Sequence, residues 1–523
     1  MKKKLLNIYT ISSLAALTLG LSSCDDYLDK LPDNRMSITN VSEANKLLVS
    51  AYPGVYPAML TEMYSDNADA FSVTGWTTYD RFQTEAWSWG DITDTSNDDS
   101  PQSLWDHYYI AISSANEALD FANKDSVSYA TTKGEALLCR AYNVFMLSNV
   151  FCNAYDAATA SKQLGIPYPE HTQKTYKETY TRGTLEETYQ KIDRDLQKGI
   201  GLVGNTYDQP KFHFTKNSAY AFAARFYLYY QKYDKAIYYA SKVLGSDPSS
   251  MLRDWKSMSS LSANGQIQPN VYIDADNSCN LLLNTVLSVW GVVGQNYGTG
   301  NEYAHGSYLS STETLETAGP WGNGGSRFNF SIFKNSSLSK VCLRKIPYSF
   351  EYSDIQAGIG NAHSEFAVFN TDLLLMERAE AYALSGNYEA AIADINTELS
   401  VLRKTSSSVT LKDIQDFYKS INYYTPTDPT PKKAFHTSFA IDSVAQEPVL
   451  QAVLQLKRLV TMHEGIRLQD VKRYGITIYR RTLDANNDVI AVSDTLSPND
   501  PRRAIQLPQD AISAGIEANP RTK

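Results

Sequence analysis

Two distant segments of the chain repeat the same residues, and this repeat constrains the fold more than any other feature of the sequence. At a constant offset of 155 residues, Ala224, Tyr227, Tyr233, Ala236 and Ile237 are matched by Ala379, Tyr382, Tyr388, Ala391 and Ile392. Each segment predicts a helix, a tight turn and a second helix, with small residues where the helices approach closely. The pattern is typical of a tetratricopeptide hairpin, and the offset predicts hairpins separated by long insertions.

Other periodic segments also predict helices. They are a helix capped by Asn40, amphipathic runs over 103–122 and 133–151, a helix opened by the Thr184–Glu187 capping box and ended by Gly199 and Gly201, and a long run over 448–474 bent near Gly465. The predicted fold class is therefore mainly α, with tetratricopeptide-like helical hairpins forming a scaffold for an irregular, loop-rich lobe that contains a few short strands.

The loop-rich lobe is predicted from two insertions, near residues 60–100 and 262–365. Residues 291–325 hold nine glycines and show no sustained periodicity. Residues 270–274 are expected to form one of the short strands. Loops on a rigid scaffold commonly carry binding residues, so we expect the functional surface there.

The N-terminus has the pattern of an export signal. Three lysines precede an apolar stretch, Leu5–Gly20, that is too short and too polar to span a bilayer stably. Leu21-Ser22-Ser23-Cys24 resembles a bacterial lipobox, in which cleavage leaves Cys24 as the acylated first residue. We therefore predict a signal peptide over 1–23, an acylated tether over 24–40 and a single domain over 41–523.

The remaining four cysteines do not suggest a metal site. Cys139 and Cys152, if on one helix, lie about 20 Å apart at 1.5 Å per residue, beyond disulfide reach, so we predict two buried thiols. A pairing of Cys279 with Cys342 stays open. No CxxC motif or Cys/His cluster indicates structural zinc.

Charge excludes one class of partner. The formal net charge is −9 and becomes −12 once the three lysines of the leader are removed. A nucleic-acid binder is not expected, because nothing offsets the repulsion of phosphates. The chain has 36 tyrosines; many such rings belong to a core, but an excess also suits surfaces that stack on ligands.

No motif predicts catalysis, and no cofactor is expected. His463-Glu464-Gly465-Ile466-Arg467 resembles a zinc-binding HExxH, but an arginine occupies the second ligand position. Asp91, Asp94, Asp98 and Asp99 could include a pair of glycosidase carboxylates, although an acidic run of this composition more often forms a solvated loop.

Sugar binding requires a flat ring for the C–H face of a pyranose and polar groups for its hydroxyls. Trp76, Trp290 and Trp321, with Tyr297 as a lesser fourth ring, satisfy the first requirement in polar loops. Asn67, Arg81, Asn296 and Asn323 could satisfy the second. The alternative for each tryptophan is packing beneath a long loop. Trp87, Trp89 and Trp105 are expected in the core, since they border a predicted helix.

Six short motifs are spread over nearly the whole mature chain. They are Cys24-Asp25-Asp26-Tyr27-Leu28-Asp29, Tyr64-Ser65-Asp66-Asn67-Ala68-Asp69, Trp105-Asp106-x-x-Tyr109-x-x-Ile112-x-x-Ala115-Asn116, Glu135-Ala136-x-x-x-Arg140-Ala141-Tyr142, Glu464-Gly465-x-Arg467-x-x-Asp470-Val471-Lys472-Arg473-Tyr474 and Pro501-Arg502-x-Ala504-Ile505-x-Leu507-Pro508. Together they resemble the SusD/RagB family of outer-membrane nutrient-binding lipoproteins of Bacteroidetes. Where many relatives carry Glu-Arg-x-x-Glu, Met462 and His463 precede Glu464 here.

The resemblance implies four tetratricopeptide-like hairpins that support an irregular lobe, and no enzymatic activity. It also implies a lipid-anchored protein of the cell surface that captures oligosaccharides and delivers them to a SusC-like TonB-dependent transporter. We expect the helical side to face the transporter and the loop lobe to hold the glycan. The alternatives are a secreted polysaccharide-degrading enzyme, and a scaffold or non-glycan nutrient-binding protein of the same fold.

Overall fold

Paired helices form most of the molecule. The computed structural model describes residues 40–72, 81–173, 178–263, 265–293 and 302–521. The helices are α1 (Val41–Val49), α2 (Ala58–Tyr64), α3 (Arg81–Trp87), α4 (Pro101–Ala122), α5 (Ala130–Phe151), α6 (Leu185–Leu202), α7 (Lys216–Tyr229), α8 (Tyr233–Leu244), α9 (Trp255–Ser259), α10 (Ile267–Tyr272), α11 (Ser307–Thr312), α12 (Thr371–Leu384), α13 (Tyr388–Leu402), α14 (Leu411–Ser420), α15 (Gln446–Val460), α16 (Arg467–Arg473) and α17 (Gln509–Ser513).

The predicted repeat is confirmed as the hairpins α7–α8 and α12–α13. Ala224 and Ala379, at equivalent positions, are both fully buried where the helices pack. The tight turns are also equivalent, because Gln231 (φ 59°) and Gly386 (φ 78°) occupy the same position in the two copies. Both turns use the left-handed backbone conformation, which glycine adopts at little cost and glutamine adopts with strain.

Helix α6 begins as predicted but does not end as predicted. Thr184 Oγ1 accepts from the Glu187 N–H at 3.1 Å, and Glu187 accepts from the Thr184 N–H at 2.8 Å, which completes the capping box. The helix then continues through Gly199 to Leu202. A Cβ atom at Gly199 would lie 2.7 Å from Leu138 on α5, so this glycine permits close packing of two helices rather than ending one.

The aromatic residues belong mainly to a continuous core between the hairpins. Phe145 of α5 and Phe222 of α7 have ring centroids 5.7 Å apart, and Tyr142 meets Phe222 edge-on at the same distance. Helix α5 packs between α4 and α6, while α12 packs against α8 and α15. Much of the tyrosine excess is thereby explained by burial.

The strands are β1 (Asp69–Phe71), β2 (Asn280–Leu287), β3 (Tyr303–Ala304), β4 (Ile332–Asn335), β5 (Lys340–Leu343), β6 (Tyr348–Asp354), β7 (Ile359–Asn370), β8 (Ile478–Leu483) and β9 (Val489–Leu496). They form sheets of order β3-β1-β8-β9, β2-β7-β6 and β4-β5. Parallel pairing of β1 with β8 joins the beginning of the domain to its end.

The two insertions contain more regular structure than the sequence predicts. Residues 270–274 were expected as a strand, but they lie largely in helix α10. Strands β2 and β7 pair over most of their lengths; the apolar run of β2 lacks the alternation that identifies a half-buried strand, because its neighbours cover both faces. Residues 60–100 are likewise not a continuous loop, since they include β1 and α3.

Most sequence expectations about buried residues are confirmed. Cys139 and Cys152 are separate buried thiols, as are Cys279 and Cys342. Trp87 and Trp89 are buried and donate to the main-chain carbonyls of Ala68 and Tyr64. Among the described residues, no helix is both long and apolar enough to cross a membrane.

Candidate functional site

The two predicted ring platforms that the structure describes are buried. Trp290 is 3% exposed and donates its indole N–H to the His463 carbonyl at 2.8 Å. Trp321 is 4% exposed and packs over Gly319, where a Cβ would lie 2.4 Å from the ring. The prediction of accessible stacking platforms is therefore wrong for both rings. Both rings belong to the continuous hydrophobic core that also contains the helices, because long loops still need apolar side chains beneath them.

Asn67 is also buried, and its side-chain amide is hydrogen-bonded within the protein. Its Nδ2 donates to Glu62 at 2.8 Å, and its Oδ1 accepts from Arg458 at 2.8 Å. The side chain is 3% exposed, so it cannot bond a sugar hydroxyl in this arrangement. This corrects its assignment as a ligand-binding residue.

Two predicted polar residues lie at the surface. Arg81 begins α3 with about half its side chain exposed and lies 3.8 Å from Glu85. Asn323 is exposed, and its carbonyl accepts from Arg403. Trp76, Asn296, Tyr297 and Cys24 lie outside the described residues.

The segment that resembles HExxH is part of a buried ion-pair network. Arg467 binds Asp66 with Nε–Oδ1 at 2.8 Å, and Arg458 lies 3.5 Å from the same carboxylate. Burial alone would raise the pKa of Asp66, but the two guanidinium groups hold it well below its usual value. Burial lowers the pKa of His463 well below its usual value, so this imidazole is neutral. No group of potential metal ligands occurs among the described residues.

The acidic run at 91–99 has structural partners. Asp99 is buried and accepts from the Ser288 hydroxyl at 2.7 Å and from the Val289 N–H at 3.1 Å. Asp94 accepts from the main chain and hydroxyl of Ser96. These two carboxylates stabilise turns, and neither is arranged as an acid or a nucleophile beside an open cleft.

An open groove lies instead along helix α4. Its volume is about 580 Å³, within the range of ligand pockets. We call it the α4 groove; it is lined by Trp105, Tyr109, Ile112, Asn116, Tyr180 and Ile516, among others. The opposite walls come from residues 167–173 and 178–180, and from α17 with the chain that follows it.

The register of α4 places these side chains on one face. Ser100 caps the helix, its side chain accepting from the Ser103 N–H, and Pro101 occupies the first turn. Spacings of four, three and four residues then align Trp105, Tyr109, Ile112 and Asn116. Trp105 was expected in the core, but it is only partly buried: one side packs edge-on against Phe151 at 5.5 Å, and the ring also lines the groove.

The floor of the α4 groove is held rigidly. Arg140 of α5 pairs with Asp195 at 2.6 Å and also donates to Asn116 Oδ1 at 2.8 Å. Asn116 in turn donates to the carbonyls of Pro169 and His171, which fastens this wall to the helix. A site supported by buried hydrogen bonds loses little conformational entropy when a ligand binds.

The groove offers apolar rings beside polar groups. Trp105 and Tyr109 have centroids 4.8 Å apart and are tilted by 51°. The Tyr109 hydroxyl donates to the Pro167 carbonyl at 2.9 Å. Tyr180 donates to Glu178 at 2.7 Å on the opposite side. Sequence reasoning missed this site because it assigned binding to loops, although the helical spacing of Trp105, Tyr109 and Asn116 was visible.

Comparison with known proteins supports the same family. Residues 26–228 match the family SusD-like_3, described as "Starch-binding associating with outer membrane". No curated protein sequence matches the chain.

Solved structures share the fold over nearly the whole chain. A SusD superfamily protein from Bacteroides thetaiotaomicron is 16% identical, with TM-score 0.60, over 92% of this chain and 100% of the other. A second, from Bacteroides vulgatus, is 19% identical, with TM-score 0.61, over 93% and 100%. A laminarin-binding SusD-like protein is 16% identical, with TM-score 0.54, over 92% and 100%. The family match therefore covers residues 26–228, and the likeness of fold to SusD superfamily structures extends over 92–93% of the chain.

Proposed function

We propose that this protein captures a glycan in the α4 groove and is not an enzyme. The observation that carries the proposal is the partly exposed indole of Trp105, which lies beside Tyr109 in an open groove with a rigid polar floor. Aromatic faces cover the C–H face of a pyranose, and nearby amides and hydroxyls replace the water around its hydroxyl groups. The family description and the laminarin-binding relative are consistent with a glucan as the first ligand to test.

The expected affinity is modest. Covering one ring at roughly 25 cal/mol per Å² gives about 1–2 kcal/mol, and hydroxyl bonds add little after their dehydration. Two or three such contacts correspond to a dissociation constant from roughly tens of micromolar to tens of millimolar. This range suits a protein that must release its ligand to a transporter.

Calorimetric titration of the soluble mature chain with maltoheptaose and laminarihexaose tests the site. We expect Trp105→Ala to weaken binding about tenfold or more, while Tyr238→Ala leaves it unchanged. Tyr238 is a matched control because it is 56% exposed on α8 and does not line the groove. Unchanged affinity of Trp105→Ala, or equal loss in both variants, would contradict the assignment. Appearance of reducing ends in the same mixtures would instead favour the secreted polysaccharide-degrading enzyme.

The cellular role extends this proposal. Cys24 and the preceding lipobox pattern support an acyl anchor at the outer membrane, and the glycan would pass to a SusC-like TonB-dependent transporter. Two acyl chains provide stable anchoring at about 0.8 kcal/mol per buried methylene. Replacement Cys24→Ala should leave a folded protein that partitions into the aqueous phase of a detergent separation. Continued partitioning into detergent, in cells without the transporter, would reject the lipid anchor.

A further inference from the structure

A second open cleft lies away from the lining of the α4 groove. Its volume is about 850 Å³, and it lies between residues 153–163, a loop at 436–439, the end of α16 and the turn at 498–503. We call it the cationic cleft; the charged and titratable residues that line it are Tyr155, Asp156, His436, Lys472, Arg473, Asp500 and Arg503. It shares no lining residue with the α4 groove.

Many buried cations elsewhere in the protein have carboxylate partners, whereas Arg182 and Arg480, which line neither the α4 groove nor the cationic cleft, donate to carbonyl groups instead. Lys457 lies 3.0 Å from Glu380 and 2.7 Å from Asp470. Arg225 binds Glu377 at 2.6 Å. Such pairing is expected, because a cation removed from water without a counter-charge costs several kcal/mol.

Lys472 and Arg503 depart from this pattern. Lys472 is 8% exposed, and its Nζ donates to the carbonyls of Asn149 and Cys152 at 2.7 and 2.5 Å. Arg503 is 4% exposed and donates only to main-chain carbonyls, including that of Val471 at 2.8 Å. Within the described part of the chain, neither forms an ion pair with a carboxylate.

The carbonyl groups compensate these charges only in part. Those bound by Lys472 lie at the C-terminal end of α5, where the helix dipole supplies about half a negative charge. Burial and the neighbouring Arg503 together lower the pKa of Lys472 to about 7. Burial lowers the pKa of Arg503 to about 10. Two adjacent, incompletely compensated cations thus share the wall of one open cleft.

The acidic residues of the cleft neutralise this wall only in part, because Asp500, whose charge raises the pKa of Arg503, also pairs with Arg502. Asp500 pairs with Arg502 at 2.8 Å. Asp156 is partly exposed, and its Oδ1 accepts from the Ala158 N–H at 2.9 Å. Arg473 is paired already, with Glu380 at 2.7 Å. The positive character that remains is therefore that of Lys472 and Arg503.

We propose that the cationic cleft binds the carboxylate of a uronic acid residue in a glycan, with Lys472 as its main counter-charge. A sugar carboxylate would supply the missing negative charge, while the amides of Gln163, Gln231 and Asn499 line the same cleft within reach of a ring bearing hydroxyls. The inference rests on the proposed glycan function and adds an acidic sugar to its ligand class.

Proton linkage gives the sharpest test. An anion beside Lys472 raises the pKa of its ammonium group, so binding near pH 7 should take up a fraction of a proton. The other titratable or charged groups around Lys472 are Cys152 at the end of α5, Arg473 on its own helix, Arg503 and Asp500 from the turn at 498–503, His436 from its loop, and Tyr155 and Asp156 from the first segment. Titration of trigalacturonate in two buffers of different ionisation enthalpy measures this uptake.

The variants separate a binding role from a structural one. Lys472→Met should weaken trigalacturonate about tenfold or more and abolish proton uptake. Lys472→Arg keeps the charge and donors but does not titrate near pH 7, so it should keep the affinity while losing the proton uptake. Lys472→Met also removes hydrogen bonds to the end of α5. If this variant fails to fold, the affinity and the proton uptake of Lys472→Arg, compared with wild type, test the proposal.

Three outcomes would overturn the inference. They are equal trigalacturonate affinity in Lys472→Met and wild type, absence of proton uptake in the wild type, and binding of inorganic sulfate as tight as that of trigalacturonate. Laminarihexaose binding that depends on Trp105 but not on Lys472 would in that case leave the proposed function intact. Loss of both ligands in Trp105→Ala alone would assign all binding to the α4 groove and reject the second cleft.

Discussion

In the structure Trp290 is buried and Trp105 is partly exposed, whereas the sequence context predicts that Trp290 is exposed and Trp105 is buried. Trp290 lies in a glycine-containing insertion without sustained periodicity but is buried, with its N–H bonded to a carbonyl. Trp105 lies in a regular helix but lines an open groove. A long insertion must bury apolar residues to remain ordered, whereas a helix at the edge of a scaffold has a face that its neighbours do not cover. Membership of a loop is therefore a weak guide to ring exposure.

The largest expected effect is on stability in the irregular lobe. Trp290→Ala should lower the free energy of unfolding by about 3–5 kcal/mol, because it leaves a cavity and removes the partner of the His463 carbonyl. Urea unfolding measures this change. Trp105→Ala should cost less than half as much, since one side of that ring already meets solvent. Equal losses of unfolding free energy in the two variants would contradict the difference in burial between Trp290 and Trp105.

A smaller effect is expected from Glu62, which shares a buried pocket with Trp290. Burial raises the pKa of this carboxyl to about 7, although Asn67 and the Gly465 N–H donate to it. Between about pH 4.5 and 7 the folded state keeps a proton that the unfolded state has lost, so stability falls as pH rises through this window.

Glu62→Gln removes that titration. We expect wild-type stability, relative to the variant, to fall by up to about 3 kcal/mol from pH 4.5 to 7.5, and to stay level above the pKa of Glu62. Urea titrations of both proteins across this range provide the measurement. If the unfolding free energies of wild type and Glu62→Gln change with pH in parallel, Glu62 is hydrated. The surroundings of Glu62 would then be less tightly packed than the burial of Trp290 in the same pocket indicates.

Much of the scaffold could be predicted because its determinants are local. The capping box at Thr184 and Glu187 needs only four residues, and the matched turns at Gln231 and Gly386 follow from a repeat visible in the sequence. The error at Gly199 shows the limit, since a glycine that ends a helix and one that admits a neighbouring helix look alike in one dimension.

The sites were less predictable because exposure depends on what packs above each side chain. Asn67 reads as a polar loop residue, yet Arg458, nearly four hundred residues later, holds it in the core. Trp105 reads as a core residue, yet no described element closes the groove above it. At both positions the sequence specifies the chemistry of the side chain, but it does not specify the accessibility of that side chain to solvent.

The sequence by itself determined the paired helices, the separate buried thiols at Cys139 and Cys152 and the family resemblance, because periodicity, capping and spacing act over a few residues. Only the tertiary structure decided which rings reach solvent and which cations lack a carboxylate. Those properties arise where segments far apart in the chain meet, as Lys472 meets the end of α5 and Arg140 fastens Asn116 beneath the α4 groove.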